Sequence, residues 1–303
     1  MQTYYRVAEH VFAVESSDSG IFALLDNYQP FEVPLSLLSK DERGTFTMIV
    51  ERQSLHDDIA MASYTHVFTD CVEDDMPRIE VYQCQGFWMM RMSQVATSSV
   101  CCELIVTDDF TEGKLHISSQ CQDVRFCVDS ALMLMYAFRT ASLRTLELHA
   151  AVVVKENENG EAKGYLFLGK SGTGKSTHAR QWLRVFPDAY LLNDDNPILR
   201  IMDSGDVRVY GSPWSGKTPC YINAHARVGG IVKLAQSSCN QLRALSLPEA
   251  YANLLSASSG LKMDKNMADD MYETIKYIIT NVPCYHLDCL PNVESAELCF
   301  RAM

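Results

Sequence analysis

The run Gly169-Lys170-Ser171-Gly172-Thr173-Gly174-Lys175-Ser176-Thr177 satisfies the pattern G-x-x-x-x-G-K-[ST] at every position. The chemistry that such a run performs is capture of a polyphosphate. Gly172 and Gly174 permit backbone angles closed to other residues, so successive N–H groups can turn inward toward phosphate oxygens. A helix starting near Lys175 points the positive end of its dipole at the same anion. Lys175 reaches the β- and γ-phosphates as a mobile point charge, and Ser176 offers a hydroxyl to Mg²⁺. The expected nucleotide contacts are therefore Gly169, Ser171, Gly172, Thr173, Gly174, Lys175, Ser176 and Thr177.

Asp194 and Asp195 follow Lys175 by 19 and 20 residues, room for one helix and one strand. Two adjacent carboxylates raise each other's pKa unless a cation lies between them, which favours a metal site. We assign Asp195 to Mg²⁺, with Ser176, and Asp194 to accepting the proton of an attacking hydroxyl. The bland alternative is a solvated turn, since Asn-Asp-Asp-Asn is also turn chemistry. His149, at the end of Leu146-Glu147-Leu148, could reach the metal or the transferred phosphoryl if its strand neighbours the one entering the loop; a lone strand histidine is otherwise a core residue. Gly211-Ser212-Pro213-Trp214-Ser215-Gly216-Lys217 is a second glycine loop. It could bring Lys217 onto the γ-phosphate with Trp214 as a wall, or be a surface turn carrying a solvated lysine.

The elements that must position these groups are readable in outline. An apolar strand, Tyr165–Leu168, enters the glycine loop. The helix leaving it places Ala179, Trp182, Leu183 and Phe186 on one stripe, and Pro187 ends it. A strand over Tyr190–Leu192 leads into the aspartate pair. Leu146–Val153 reads as one strand, followed by a polar turn over Lys155–Gly164 containing Asn-Glu-Asn-Gly. Pro197–Met202 and Val207–Tyr210 form a hairpin, and Gly230–Leu234 is a further strand. Helices are expected over Ser130–Ala141, Pro248–Ser258 and Ala268–Ile279, then a strand at Tyr285–Leu287 and a closing helix. Upstream, Thr45–Val50, Arg78–Tyr82, Phe87–Met92, Glu103–Val106 and Lys114–Ile117 read as largely antiparallel strands. The chain thus divides into a mainly β region, 1–125, and an α/β nucleotide-binding domain, 126–303, α+β overall.

Composition narrows the class. The chain has 303 residues, 47% hydrophobic and 21% charged, as globular proteins do. A formal net charge of −12 repels nucleic acid and anionic membrane, so neither is an expected partner. No basic segment followed by an apolar run opens the chain, which makes the cytoplasm the expected compartment. The 11 cysteines lack any Cys-x-x-Cys pair and read as reduced thiols rather than a disulfide framework. Ligand spacing for a zinc site from Cys84, His116 and their neighbours is missing.

Three segments carry a family resemblance: Leu148-His149-Ala150-Ala151-Val152-Val153, Leu168 to Thr177, and Leu192-Asn193-Asp194-Asp195. Over roughly residues 130–235 they resemble the C-terminal domain of HPr serine kinase/phosphorylase and the wider fold of ATP-dependent phosphoenolpyruvate carboxykinase. That resemblance implies a carboxykinase-like fold with a mixed sheet, one aspartate of the pair as general base with the other on the metal, and His149 near the metal. The function expected is Mg-ATP-dependent phosphoryl transfer to a hydroxyl acceptor, protein or small molecule. Cofactors are ATP and Mg²⁺; oligomeric state is left open. Competing readings are a non-catalytic ATP-sensing module and a carboxykinase-type enzyme. A switch GTPase is disfavoured because the string before Asp264, Leu261-Lys262-Met263, lacks the leading asparagine of a guanine reader.

Overall fold

A computed structural model describes residues 1–39, 44–56, 61–70, 77–95, 99–156, 160–216 and 218–303. The chain forms two compact units, Met1–Arg139 and Thr140–Met303. Both are built on mixed sheets, and the fold class is α/β.

In the first unit the strands are β1 (Gln2–Val7), β2 (His10–Ser16), β3 (Phe46–Arg52), β4 (Thr65–Asp70), β5 (Arg78–Cys84), β6 (Phe87–Ser93), β7 (Cys102–Thr107) and β8 (Glu112–Ile117). They form one sheet in the order β1-β2-β3-β8-β7-β6-β5-β4. The β2–β3 and β3–β8 pairs are parallel and the other pairs antiparallel. The β1–β2 hairpin escapes sequence reading for a local reason. Its two turn residues, Ala8 and Glu9, take φ of 46° and 65°, a conformation usually announced by Asn-Gly or Asp-Gly. A four-residue helix, α1 (Ser19–Phe22), follows β2.

The long helix α2 (Val124–Ala141) starts six residues before the expected Ser130. Asp123 supplies the start by accepting the Phe126 N–H at 2.9 Å. The helix presses on the sheet: a Cβ on Gly113 would lie 2.6 Å from the Met135 sulfur. Tyr136 Oη donates to Val7 O at 3.1 Å and Arg139 Nε to Thr45 O at 3.0 Å. Leu104, Val106, Leu115 and Ile117 are buried on the helix-covered face, and their strand neighbours face the other way.

In the second unit the strands are β9 (Thr145–Glu147), β10 (Ala150–Glu156), β11 (Ala162–Leu168), β12 (Tyr190–Asp195), β13 (Ile198–Ile201), β14 (Val207–Tyr210), β15 (His225–Gln236), β16 (Gln241–Ala244) and β17 (Cys284–Cys289). The helices are α3 (Lys175–Val185), α4 (Leu247–Ala257), α5 (Lys265–Asn281) and α6 (Val293–Arg301). The main path runs β12-β10-β11-β15-β14-β13-β9, with β17 beside β15 and β16 beyond it. Strand β10 is antiparallel to both β11 and β12, whereas β11–β15 and β15–β17 are parallel. The apolar stripe of α3 lies on one face, where the wholly buried Trp182 meets Tyr165 and Phe167 with ring centroids 4.8 and 5.4 Å away. Ala151, Val153, Val232, Leu287 and Cys299 of α6 complete that core, which holds the head of α3 against the sheet.

One expected element divides. Leu146–Val153 is not a single strand, because β9 pairs with β13 while β10 pairs with β11 and β12. Between them the Leu148 N–H donates to Pro197 O at 3.1 Å and the His149 N–H to Ala257 O at 2.8 Å. Of the turn after β10, residues 157–159 lie outside the described residues. The described cysteines are free thiols. Among the described residues, no helix is long and apolar enough to cross a membrane.

Candidate functional site

Strand β11 ends at Leu168, and the chain then turns through Gly169–Gly174 into α3. Gly172 and Gly174 have φ of 77° and 106°, values that strain any side-chain-bearing residue. Thr173 N–H closes the turn on Lys170 O at 3.1 Å. Gln236, the last residue of β15, donates to Gly172 O at 3.1 Å and so ties a loop carbonyl to the sheet. Lys170, Ser171 and Gly172 are exposed, Thr173 and Gly174 half-buried, and Gly169 buried. The first amides of α3 have no partner within the helix, so the loop offers donors at an accessible, electropositive helix start.

Four side-chain contacts sit behind this loop. Lys175 Nζ donates to Gly169 O at 3.0 Å and lies 2.7 Å from His149 Nε2. His149 Nδ1 in turn lies 3.0 Å from Asp195 Oδ1. Ser176 Oγ donates to Asp194 Oδ1 at 2.8 Å. An ammonium can only donate, so His149 accepts through Nε2 and its Nδ1–H donates to Asp195. Burial lowers the Lys175 pKa from its ordinary value, opposed by the charges of Asp195 and Asp194, while Lys233 adds to the lowering.

Sheet register explains the convergence of residues distant in sequence. Ala150 stands opposite Leu168 on one side and Asp195 on the other, and Ala151 stands opposite Asp194. Strand β10 therefore separates the glycine loop's strand from the aspartates' strand while delivering both to one sheet end. The break before Ala150 leaves His149 half-exposed between them. Thr177 is half-buried on the first turn of α3.

The second glycine loop is placed differently from a ligand wall. Trp214 is buried, 4% exposed, and its carbonyl accepts from Asn193 Nδ2 and Ser212 Oγ, both at 3.0 Å. Gly216 N–H donates to Asp194 O at 2.9 Å. The loop thus braces the aspartate strand through Asn193 and Asp194. Lys217 lies outside the described residues.

Two further residues that the sequence reading did not single out join the site. Lys233 is aligned with Leu168 across the β11–β15 pair, and burial, then the charge of Lys170, lower its pKa. Glu147 is wholly buried, with no hydrogen-bond partner on either carboxylate oxygen among the described residues. Burial, then the Asp195 charge, push its carboxyl well above the ordinary value, with Ser259 opposing in part. A charged residue inside an apolar run was the only available hint for both.

Glu147 sets a pH dependence of stability. A folded-state pKa above the unfolded value makes the stabilisation greatest below the unfolded pKa. It is lost as pH rises through the folded pKa, at no more than about 1.4 kcal/mol per pH unit for one group. Glu147→Gln is expected to unfold at higher temperature than the wild type at pH 8, with the gap closing toward pH 4–5, roughly the ordinary carboxylate range. Thermal unfolding followed across that range checks it; parallel curves at every pH count against a raised Glu147.

Neither a protein-family model nor a curated protein matches the chain at a significant level.

Proposed function

We propose that the second unit is a Mg-ATP-dependent phosphotransferase of the HPr-kinase-like kind, moving a γ-phosphoryl group onto a hydroxyl acceptor. The observation that carries this reading is the paired contact set, Ser176 with Asp194 and Lys175 with His149 and Asp195. A loop of accessible amides with one ammonium fits a polyphosphate, and a serine hydroxyl beside a carboxylate supplies the hard oxygen donors that Mg²⁺ takes. When bound, Mg²⁺ supplies charge neutralisation on the β- and γ-phosphate oxygens.

The contacts favour an exchange of the two aspartates' roles relative to the sequence assignment. Asp194, hydrogen-bonded to Ser176, serves the metal. Asp195, oriented by His149 Nδ1–H, accepts the acceptor's proton. As the acceptor oxygen bonds to the γ-phosphorus, the bond from that phosphorus to its bridging oxygen breaks, and that electron pair leaves with the nucleoside diphosphate. Lys175 holds its positive charge against the phosphates throughout. Such an activity suits a cytoplasmic protein, where MgATP is supplied.

The test is turnover of γ-labelled ATP by the purified chain with Mg²⁺, against pools of small-molecule and protein hydroxyl acceptors, alongside nucleotide calorimetry. Mg²⁺-dependent transfer of label is the expected result. Tight ATP binding with no transfer or hydrolysis would move the assignment to an ATP sensor, and no binding at all would end it.

A further inference from the structure

The first unit carries its own candidate site, independent of the glycine loop. On the sheet face away from α2 lies a cavity of about 780 Å³ with His56 and His116 in its lining. Glu103 of β7 and His116 of β8 stand directly opposite each other. His56, just beyond β3, reaches the same point: its backbone N–H donates to Glu103 Oε2 at 2.9 Å, and its Nδ1 lies 2.7 Å from that oxygen. Donor atoms of the three residues all lie within 4.8 Å of one another. The imidazole rings are nearly parallel, with centroids 6.3 Å apart.

Two features separate this cluster from an ordinary structural ion pair. His116 is 8% exposed, and its Nδ1 is buried with no hydrogen-bond partner among the described residues. A buried ring nitrogen without a partner costs stability unless something fills the gap. The cavity is also lined by Glu15, Glu51 and Glu112 against the single lysine Lys114, an acidic balance among the described residues that favours a cation. Arg91 Nε forms an ion pair with Glu103 Oε1 at 3.0 Å, while Oε2 is the oxygen that meets His56.

We propose that His56, Glu103 and His116 bind one divalent transition-metal ion of the zinc class. Two imidazoles and one carboxylate suit Zn²⁺ or Co²⁺, whereas Mg²⁺ and Ca²⁺ take oxygen donors throughout. Bonds of about 2.0–2.2 Å place tetrahedral ligand atoms roughly 3.4 Å apart. The ion therefore widens the 2.7 Å contact between His56 Nδ1 and Glu103 Oε2 and replaces its hydrogen bond. Three protein ligands leave a coordination position open to the cavity, the arrangement of exchangeable or reactive zinc rather than of a closed four-ligand structural site.

The experiment is titration of the full chain with Co²⁺, then Zn²⁺, under excess Mg²⁺ to occupy the carboxylates at the glycine loop. One equivalent of Co²⁺ is expected, displaced by Zn²⁺, with ligand-field absorption and no thiolate charge-transfer band. His56→Ala and His116→Ala should each weaken binding by at least about tenfold, and Zn²⁺ should raise the melting temperature of the wild type only. Asp194→Asn should keep the full Co²⁺ equivalent. Metal-free circular dichroism establishes that each variant is folded; should His116→Ala fail, His56→Ala decides, since His56 lies outside the sheet. Undiminished Co²⁺ binding in a folded histidine variant, a thiolate band, or no binding by the wild type would overturn the site.

Discussion

Lys175→Met is expected to lower γ-phosphate turnover by at least about 10²–10³-fold, the scale of losing one preorganised electrostatic donor in an active site. Methionine keeps most of the buried aliphatic volume at this position, which is 9% exposed, so the α3 core should stay packed. What disappears is the ammonium that the first turn of α3 places behind the loop, against Gly169 O and His149. His149 Nε2 and Gly169 O lose their donor with it; the buried Gly169 O is left unpaired at a cost of about 1–3 kcal/mol, while water can reach the half-exposed His149. Denaturant unfolding of the variant beside its kinetics distinguishes lost catalysis from lost fold. A folded Lys175→Met protein with wild-type turnover would remove the phosphoryl-transfer reading.

The second large effect separates the aspartates. Asp195→Asn should reduce kcat by about 10²–10⁴-fold, the range of a lost general base, with KM for MgATP little changed. The amide retains an oxygen for the His149 Nδ1–H but no longer accepts a proton at neutral pH. Asp194→Asn should act otherwise: the Mg²⁺ concentration needed for half-maximal turnover rises, because the carboxylate beside Ser176 Oγ is gone. Steady-state kinetics over a Mg²⁺ series with both variants reads this split directly. If the Mg²⁺ requirement moves in Asp195→Asn and not in Asp194→Asn, the roles revert to the order expected from sequence.

The difference between those two assignments shows what each level of information holds. The sequence assignment of Asp195 to the metal and Asp194 to the proton rests on no contact, because nothing in Asn193-Asp194-Asp195-Asn196 says which carboxylate faces which neighbour. The choice comes from pairing in β12, where Asp194 stands opposite Ala151 and Asp195 opposite Ala150, so that consecutive side chains point to different surroundings. The same holds for His149. Its apolar lead-in reads as one continuous strand, but β9 pairs with β13 while β10 pairs with β11 and β12, and the change of partners breaks the strand there and frees the ring.

The amino-acid sequence by itself determined the glycine loop, its entering strand, the helix that follows and the mixed α/β character of the second unit. These depend on neighbours within a few residues: glycines at left-handed positions, an apolar stripe at helical spacing, a lysine one residue into a helix. Only the tertiary structure decided that β10 runs between β11 and β12, that Ser176 meets Asp194 while His149 meets Asp195, and that Glu147 is wholly enclosed. It alone brought His56, Glu103 and His116 together from separate elements. Such contacts are set by strand order and register, which arise from how whole faces exclude water, and no short window of sequence contains that competition.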